Sequence, residues 1–423
     1  MQASTHIFAI DLADEGFGRA LDTIHEQGAL DGVVLAASYH QAFDVLPHNP
    51  VHRLYAHEAG VLYFQPEPSR YDGLKIQPRV SRLADEYDPL ARLIAEADRR
   101  SMVVRAWTNH LQSTDQGLRH PDCVVQNVFG DRYERWLCVA NPDVRAYVRA
   151  VSADLARYAI ETLVLESLCY QPFDLVFLNG RSHFTYGPTV KFLLSICFCE
   201  HCEAAARRAG VRVDEIRRVV QGELSKSLAG EPSVIDDTPL EPGPVGDLAG
   251  GEMAGFLAVR QSVVQSLVGE TTESVRQTRR DARVVVMDWS GGLSSYKEGE
   301  ASGRLTCERS WQDGVDPGGV AAECDGLCML GYTRDLDRLR ADAAGYRALV
   351  PGDRSLSIAM RPMPPDCQSE RDLVARIDAV SEVRPDWLEF YHYGLMRREN
   401  LDWVGAALRG RSVSRDESTG VSG

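Results

Sequence analysis

The sequence lacks the features that mark membrane proteins and nucleic-acid-binding proteins. Its 423 residues contain no apolar run of about eighteen residues, the length that a membrane helix needs. The first residues, MQASTHIFAI, lack the basic segment and cleavage site of a signal peptide. Lysine and arginine do not cluster and the net charge is −15, whereas binding to a phosphate backbone needs a basic face. The sequence therefore predicts a cytoplasmic protein with no membrane span and no nucleic-acid partner.

Two further motifs are missing. No Gly-x-Gly-x-x-Gly follows a predicted strand, which argues against a dinucleotide-binding sheet. No His-x-His spacing occurs, so the sequence does not indicate a catalytic metal held by histidines. What is present is a hydrophobic content of 44%, enough for one large domain or two modest ones. The oligomeric state stays open, and a homo-oligomer is among the options.

Short apolar runs alternate with amphipathic segments along the chain, which is typical of strands joined by crossover helices. The predicted strands are Thr5–Asp11, Gly32–Ser38, Met102–His110, Thr162–Leu168, Val284–Ser290, Gly326–Tyr332, Leu356–Met363 and Asp386–Tyr393. The predicted helices are Gly16–Gln27, Asp88–Arg100, Pro142–Ile160, Met253–Arg280, Arg334–Leu349, Glu370–Val383 and Met396–Leu408, with a poorly marked one in Glu308–Glu323. Eight strand–helix units predict a closed (β/α)8 TIM barrel, and a doubly wound open sheet is the alternative.

The predicted barrel is a single domain of residues 1–410 with two long insertions. Residues 39–87 follow the second strand, are rich in His, Pro and Tyr, and are expected to form a wall of the barrel mouth. Residues 169–252 follow the fourth strand and contain an acidic, proline-rich part, 229–252, that we expect to be flexible. Residues 411–423 are expected to be a disordered tail.

A Cys-x-Cys-x-x-Cys run is the most specific motif in the chain. Cys197, Cys199 and Cys202 are too close together for a disulfide framework, but thiolates at this spacing suit zinc, which binds sulfur at about 2.3 Å. Cys138, just before a predicted helix, is the best candidate for the fourth ligand, and His201 is the alternative. A closed four-cysteine site is structural and not catalytic. The competing interpretation is a set of reduced cysteines in the core.

Residues that end the predicted strands are the candidates for a binding site, because the loops at the carboxyl ends of barrel strands build active sites. These residues combine acids, amides, imidazoles and aromatic rings, a mixture that suits sugar hydroxyls and sugar C–H faces. The predicted substrate-binding residues are Asp11, His40, Trp107, Asn109, His110, His183, Trp289, Arg361, Tyr391 and His392.

Two carboxylates are the candidates for catalysis. Glu166 ends the apolar run Thr162-Leu-Val-Leu-Glu, where an ionised side chain is costly unless it is used or paired, so burial should raise its pKa. Such a group can protonate a leaving oxygen. Its structural alternative is an ion pair with Arg361 or with another cation at a strand end. Asp288 ends the fifth strand and is the predicted second carboxylate, with capping of the following glycine-rich loop as its alternative.

The order of these motifs resembles that of the β-galactosidases of glycoside hydrolase family forty-two and of related barrels called hypothetical glycosyl hydrolases. Cys138-Val-Ala-Asn-Pro, then Glu166, then the Cys197–Cys202 run follow one another as in that family. The resemblance implies a structural zinc held by the four cysteines and an acid/base role for Glu166. Two positions depart from the family pattern. Leu165 stands where the family has Asn, and Arg361 follows the seventh strand where the family has its nucleophilic Glu.

Three functions are compatible with these residues. The first is hydrolysis of a glycoside by Glu166 with Asp288 as its partner. The second is a barrel that binds a sugar without hydrolysing it. The third is a lyase, isomerase or tailoring enzyme in which Glu166 works with His110, His183 or His392. In each case the predicted partner is a small carbohydrate or glycoside.

Overall fold

Eight parallel strands close into a barrel in the computed structural model, which describes residues 1–170, 184–288 and 304–419, with side chains through residue 410. The strands are β1 (Gln2–Ile7), β2 (Gly32–Tyr39), β3 (Phe43–Val45), β4 (Leu54–Ala56), β5 (Val61–Leu62), β6 (Val103–Asn109), β7 (Val124–Gln126), β8 (Arg132–Leu137), β9 (Thr162–Glu166), β10 (Arg283–Asp288), β11 (Gly326–Leu330), β12 (Ser355–Met360) and β13 (Trp387–Phe390). The barrel strands are β1, β2, β6 and β9 to β13, and β1 pairs with both β2 and β13, which closes the circle. The predicted (β/α)8 TIM barrel is therefore confirmed.

Helices cover the outside of the barrel. They are Ala9–Glu15, Phe17–Asp22, Pro89–Asp98, Thr114–Arg119, Pro142–Leu155, Pro188–Ser195, Glu200–Arg208, Val213–Ala229, Pro242–Gly246, Glu252–Thr278, Pro317–Glu323, Leu336–Leu349, Glu370–Ser381 and Arg398–Thr419, with a π-helical turn at Thr23–Gln27 and 3₁₀ turns at Pro68–Tyr71, Arg82–Ala84, Thr306–Glu308 and Ser310–Asp313. The last helix runs past residue 410, where the sequence places the end of the domain. Within the described parts of the chain, no helix combines the length and the apolar character that a bilayer crossing needs.

Local sequence explains where the elements begin. The helix Pro142–Leu155 starts as its sequence predicts, because the Asn141 side chain accepts hydrogen bonds from the backbone N–H groups of Asp143 and Val144 at 2.9 and 3.3 Å. Strand β10 is built around three consecutive valines, which favour the extended conformation. Its residues from Val284 onward are buried, as expected for a strand covered by helices on one side and packed in the barrel on the other.

The insertion after β2 lies at the carboxyl ends of the barrel strands. Strand β5 runs antiparallel to the end of β2, and β3 and β4 form a hairpin above it. His48 contacts Glu15 after β1 at 3.0 Å, and its Nε2–H donates to the Tyr393 carbonyl after β13 at 2.7 Å. His57 packs against the ring of Phe8, with 4.3 Å between ring centroids. Residues 40–60 thus border the barrel mouth, whereas Tyr71 further along bonds Asp154 on the outer helix layer.

The described part of the insertion after β9 forms a second hydrophobic cluster. Its helices Pro188–Ser195, Val213–Ala229 and Glu252–Thr278 pack their apolar faces together. Residues 229–252, which the sequence predicts to be flexible, contain the short helix Pro242–Gly246 and bury Ile235 and Val245 in this cluster. These apolar side chains, set between acidic and proline residues, give the segment a surface to bury.

Candidate functional site

Glu166 is the last residue of β9, at the carboxyl end of the barrel. Its side chain is 5% exposed, and its carboxylate accepts a hydrogen bond from the indole N–H of Trp107 on the neighbouring strand β6. Burial raises the pKa of Glu166 to about 8, and the Trp107 and Asn109 side chains oppose that rise only in part. No ion pair to Glu166 occurs among the described residues, and Arg361 pairs with Asp366 instead. The carboxyl therefore holds its proton at neutral pH.

Aromatic rings surround this carboxyl. Trp107 lies 5.3 Å from the ring of Tyr39 and 6.0 Å from that of Tyr391. The hydroxyl oxygens of Tyr39 and Tyr391 are 3.4 Å apart, and Tyr332 extends the group at 5.7 Å from Tyr391. The guanidinium of Arg361 lies over the Tyr332 ring at 4.7 Å. Rings at the ends of β2 and β6 and just after β11 and β13 thus lie together at one end of the barrel.

Polar side chains accompany the rings. Asn109 pairs in register with Glu166 and is 3% exposed, and its side chain acts with that of Trp107 to oppose the rise in the pKa of Glu166. Its amide therefore lies at the same carboxyl as the aromatic rings. His40 stacks on Tyr39 at 4.4 Å, and its Nδ1 lies 2.8 Å from the Gln41 carbonyl. Among the predicted site residues, the structure therefore brings together Glu166, Trp107, Asn109, His40, Arg361 and Tyr391.

Asp288 points away from Glu166. Leu165 of β9 pairs in register with Val286 of β10, so the alternation of side chains places Asp288 and Glu166 on opposite faces of the barrel wall. The Asp288 carboxylate accepts a hydrogen bond of 2.6 Å from the hydroxyl of Tyr346, which lies in the outer helix Leu336–Leu349. The geometry thus does not support the predicted pairing of these two carboxylates over one substrate, because one faces the lumen and the other the helix layer.

Three other predicted substrate-binding residues lie in the packed interior. Strand β1 ends at Ile7, earlier than predicted. Asp11 therefore lies in the first turn of the following helix, where its carboxylate accepts a hydrogen bond of 3.0 Å from the Phe8 N–H. His110 faces the helix layer and bonds the Ser152 hydroxyl at 3.1 Å. His392 is fully buried and stacks on Phe8 at 3.8 Å. Because polar strand-end residues can face either side of the wall, position alone did not separate these from the lumen residues.

His183 and Trp289 lie outside the described residues, so their predicted substrate-binding role stays a prediction.

The interior of the barrel contains a buried ionic network that the sequence analysis did not predict. Glu389 of β13 is fully buried between the guanidinium of Arg105 on β6 and Nε2 of His6 on β1, the latter at 2.8 Å. The charge of Arg105 and the hydrogen bond with His6 hold the pKa of Glu389 at about 2 despite its burial. A signal was present, because an arginine and a glutamate each interrupt an otherwise apolar strand, and such residues need a partner.

Four buried cysteines form a separate group beside the barrel. Cys138 follows β8, while Cys197, Cys199 and Cys202 lie at the start of the helix Glu200–Arg208. The Cys138 sulfur lies 3.5 Å from those of Cys199 and Cys202 and 3.7 Å from that of Cys197. All four ligand atoms fall within 4.8 Å of one another, so the group could hold a metal ion. His201 points outward to Glu200 and is not part of the group.

No family model matches this chain, and none of the curated proteins matches it. Solved structures do match it. A β-galactosidase from the haloarchaeon Halorubrum lacusprofundi superposes with a TM-score of 0.57 at 13% identity, covering 96% of this chain and 58% of that one. A GH42 β-galactosidase from G. stearothermophilus gives 0.56 at 10% identity, with 97% and 57% covered. The α-L-fucosidase isoenzyme 2 from Paenibacillus thiaminolyticus gives 0.54 at 11% identity, with 100% and 50% covered.

This chain spans between half and three fifths of the length of these glycosidases. At 10–13% identity the similarity establishes the fold and not the activity. The resemblance to family forty-two and related barrels is thereby confirmed at the level of fold, and the chain has the (β/α)8 barrel of glycoside hydrolases.

Proposed function

We propose that this protein is an enzyme acting on a glycoside or a sugar-derived small molecule, with Glu166 as the proton donor. One observation carries the proposal: a carboxyl with a pKa raised to about 8 by burial stands at the carboxyl end of β9, inside a barrel shared with glycosidases. A general acid must hold its proton at the working pH and release it to the leaving oxygen. Glu166 meets the first condition.

The surroundings of Glu166 support a carbohydrate ligand. Tyr39, Trp107 and Tyr391 offer aromatic faces and edges of the kind that pack against sugar C–H groups. Asn109, which lies beside Glu166 on the neighbouring strand, adds an amide donor and an amide acceptor to the same group of side chains. Apolar plates with a few convergent polar groups are typical of small-molecule sites.

A second candidate function is sugar binding without hydrolysis. The orientation of Asp288 favours it, because the residue expected to act as the second carboxylate bonds Tyr346 in the helix layer and not a ligand in the lumen. Retaining and inverting glycosidases both need two carboxyl groups flanking the same bond.

The test is turnover of a panel of aryl glycosides by the wild type and by Glu166→Gln. Gln keeps the shape and removes the proton transfer, so we expect the rate to fall on the order of 10²–10⁴-fold. Substrates with activated leaving groups should show a smaller loss of rate, because they need little protonation.

Glu161→Gln is the matched control, since Glu161 immediately precedes the same strand at its other end. Full activity in Glu166→Gln removes the proposed mechanism. Saturable sugar binding without turnover in the wild type indicates the second function.

We also propose that Cys138, Cys197, Cys199 and Cys202 bind one structural zinc ion. A tetrahedral zinc with sulfur at about 2.3 Å has sulfur–sulfur edges of about 3.8 Å. The three distances from Cys138, 3.5, 3.5 and 3.7 Å, are close to that edge. Four thiolates leave no open position for substrate, which is the reason to assign the ion to stability and not to catalysis.

A further inference from the structure

The cysteine group and the end of β9 touch through two consecutive residues. The hydroxyl of Tyr170 lies 3.6 Å from the Cys202 sulfur. The carbonyl of Cys169 accepts a hydrogen bond of 3.0 Å from the indole N–H of Trp136, which stands two residues before Cys138. The loop that leaves Glu166 is thus attached to the metal-site elements at a side chain and at a backbone carbonyl.

Tyr170 is held tightly at this contact. It is 2% exposed, its backbone N–H donates to the Asp313 carbonyl at 2.9 Å, and the guanidinium of Arg260 lies 4.5 Å above its ring. Gly314 packs so closely that a Cβ there would approach the Tyr170 ring to 2.6 Å. With the ring enclosed on these sides, the hydroxyl cannot leave Cys202 without moving the backbone of the loop.

The backbone between Glu166 and Tyr170 has little conformational freedom. Only three residues separate them, and all three are buried. The first, Ser167, has a φ of 60°, a left-handed conformation that a non-glycine residue adopts only when its surroundings hold it there. A displacement of Tyr170 is therefore passed to the end of β9 and not absorbed between them.

We propose that Tyr170 is a positioning residue that couples the four-cysteine metal centre to the Glu166 carboxyl, so that an intact centre keeps Glu166 enclosed. The inference rests on the proposed roles of the metal centre and of Glu166. Its consequence is measurable without a substrate. If the link is cut, the loop loosens, water reaches the carboxyl, and the pKa of Glu166 falls toward its ordinary range.

The titration of Glu166 can be isolated from its neighbours. The groups that interact with its charge from other elements are Tyr39 of β2, Cys169 of the following loop and Cys328 of β11. Burial raises the pKa of each of them well above its ordinary value, so all three stay neutral around pH 8. Glu389, deeper in the barrel, has a pKa of about 2 and stays ionised in that range.

Trp107 reports this titration, because its indole N–H donates to the Glu166 carboxylate. The experiment is tryptophan fluorescence against pH for the zinc-loaded protein, with the curve of Glu166→Gln subtracted. The subtraction removes the signal of the other tryptophans. We expect the wild type to show a midpoint near pH 8.

Tyr170→Phe keeps the ring under Arg260 and removes only the hydroxyl at Cys202. We expect it to retain zinc and to lower the midpoint by roughly half a pH unit or more. Tyr158→Phe is the matched control. It removes a half-buried hydroxyl that donates a hydrogen bond to Asp88, away from the cysteines, and should leave the midpoint unchanged. If Tyr170→Phe does not fold, Trp136→Phe cuts the second contact and carries the same expectation.

An unchanged midpoint in a zinc-loaded Tyr170→Phe or Trp136→Phe overturns the coupling, as does an equal shift in Tyr158→Phe. Neither result depends on turnover. If no glycoside is hydrolysed but the midpoint still shifts, the proposed function fails and the coupling stands. If hydrolysis requires Glu166 but the midpoint does not move, the function stands and the coupling fails.

Discussion

Glu166 and Glu389 are both enclosed in the barrel, yet burial acts on them with opposite outcomes. Glu166 has neutral hydrogen-bond partners, so desolvation wins and its pKa rises to about 8. Glu389 has Arg105 and His6 at its two oxygens, and the attraction of these groups lowers its pKa to about 2. Two similar carboxyl groups thus differ because of one neighbouring charge.

At the residue scale, Glu166 should make the protein less stable as pH rises. Its folded pKa exceeds the unfolded value of about 4.3, so between about pH 5 and pH 8 the folded state holds one more proton. Stability should fall by about 1.4 kcal/mol per pH unit through this group. Glu166→Gln removes that slope. The melting temperature of the variant, relative to that of the wild type, should therefore increase as pH rises. Asp11→Asn should behave alike, because the pKa of Asp11 is also raised to about 8. Parallel pH profiles of the wild type and Glu166→Gln contradict the prediction.

At the scale of elements, the cysteine group fastens the start of the helix Glu200–Arg208 to the end of β8. A metal bound by thiolates from separate elements contributes its binding free energy to folding. The proposed zinc is therefore expected to stabilise the second hydrophobic cluster against the barrel.

Metal analysis should find one zinc per chain. Cys199→Ser should lose most of that zinc, and its melting temperature should be much lower than that of the wild type. The molecules of Cys199→Ser that remain folded should keep most of the Glu166-dependent turnover. His201→Ala is the control in the same helical turn, and because His201 points to Glu200 it should keep both zinc and stability. A folded wild type without metal, or zinc loss in His201→Ala, is the contrary result.

At the scale of the whole molecule, the network of His6, Arg105 and Glu389 joins the first, third and last strands of the barrel. The hydroxyl of Ser357 on β12 lies 3.4 Å from Arg105 and extends the network. It therefore links, across the barrel interior, strands that are distant in the chain.

Glu389→Gln leaves the buried Arg105 with only the partly exposed Glu161, 3.5 Å away, as a counter-charge, and we expect this to cost about 3–5 kcal/mol of stability. The folded pKa of about 2 lies below the unfolded value, so this contribution is present above about pH 4.3 and is lost as pH falls toward 2. Acid unfolding followed by circular dichroism should show a shallower pH dependence in the variant. Glu382→Gln removes an exposed pair with Arg340 and should change stability by less than about 1 kcal/mol. Equal losses in the two variants speak against the network.

The sequence by itself determined the barrel, because each strand and each helix carries its own periodic pattern and the eightfold alternation leaves few topologies. It also predicted the cysteine group, since three thiols within six residues suit few structures other than a metal site and Cys138 precedes a predicted helix. Glu166 was predicted from a single acid at the end of an apolar strand, where burial without a charged partner raises the pKa.

Only the tertiary structure decided which face of the barrel wall each strand-end residue occupies. Asp288 and His110 carry the same kind of strand-end signal as Glu166 and Asn109, yet their side chains bond Tyr346 and Ser152 in the helix layer. A shift of one residue in where a strand ends exchanges lumen for helix layer, because side chains alternate along a strand. The contacts between Arg105 and Glu389, and between Tyr170 and Cys202, likewise depend on segments that meet only when the barrel closes.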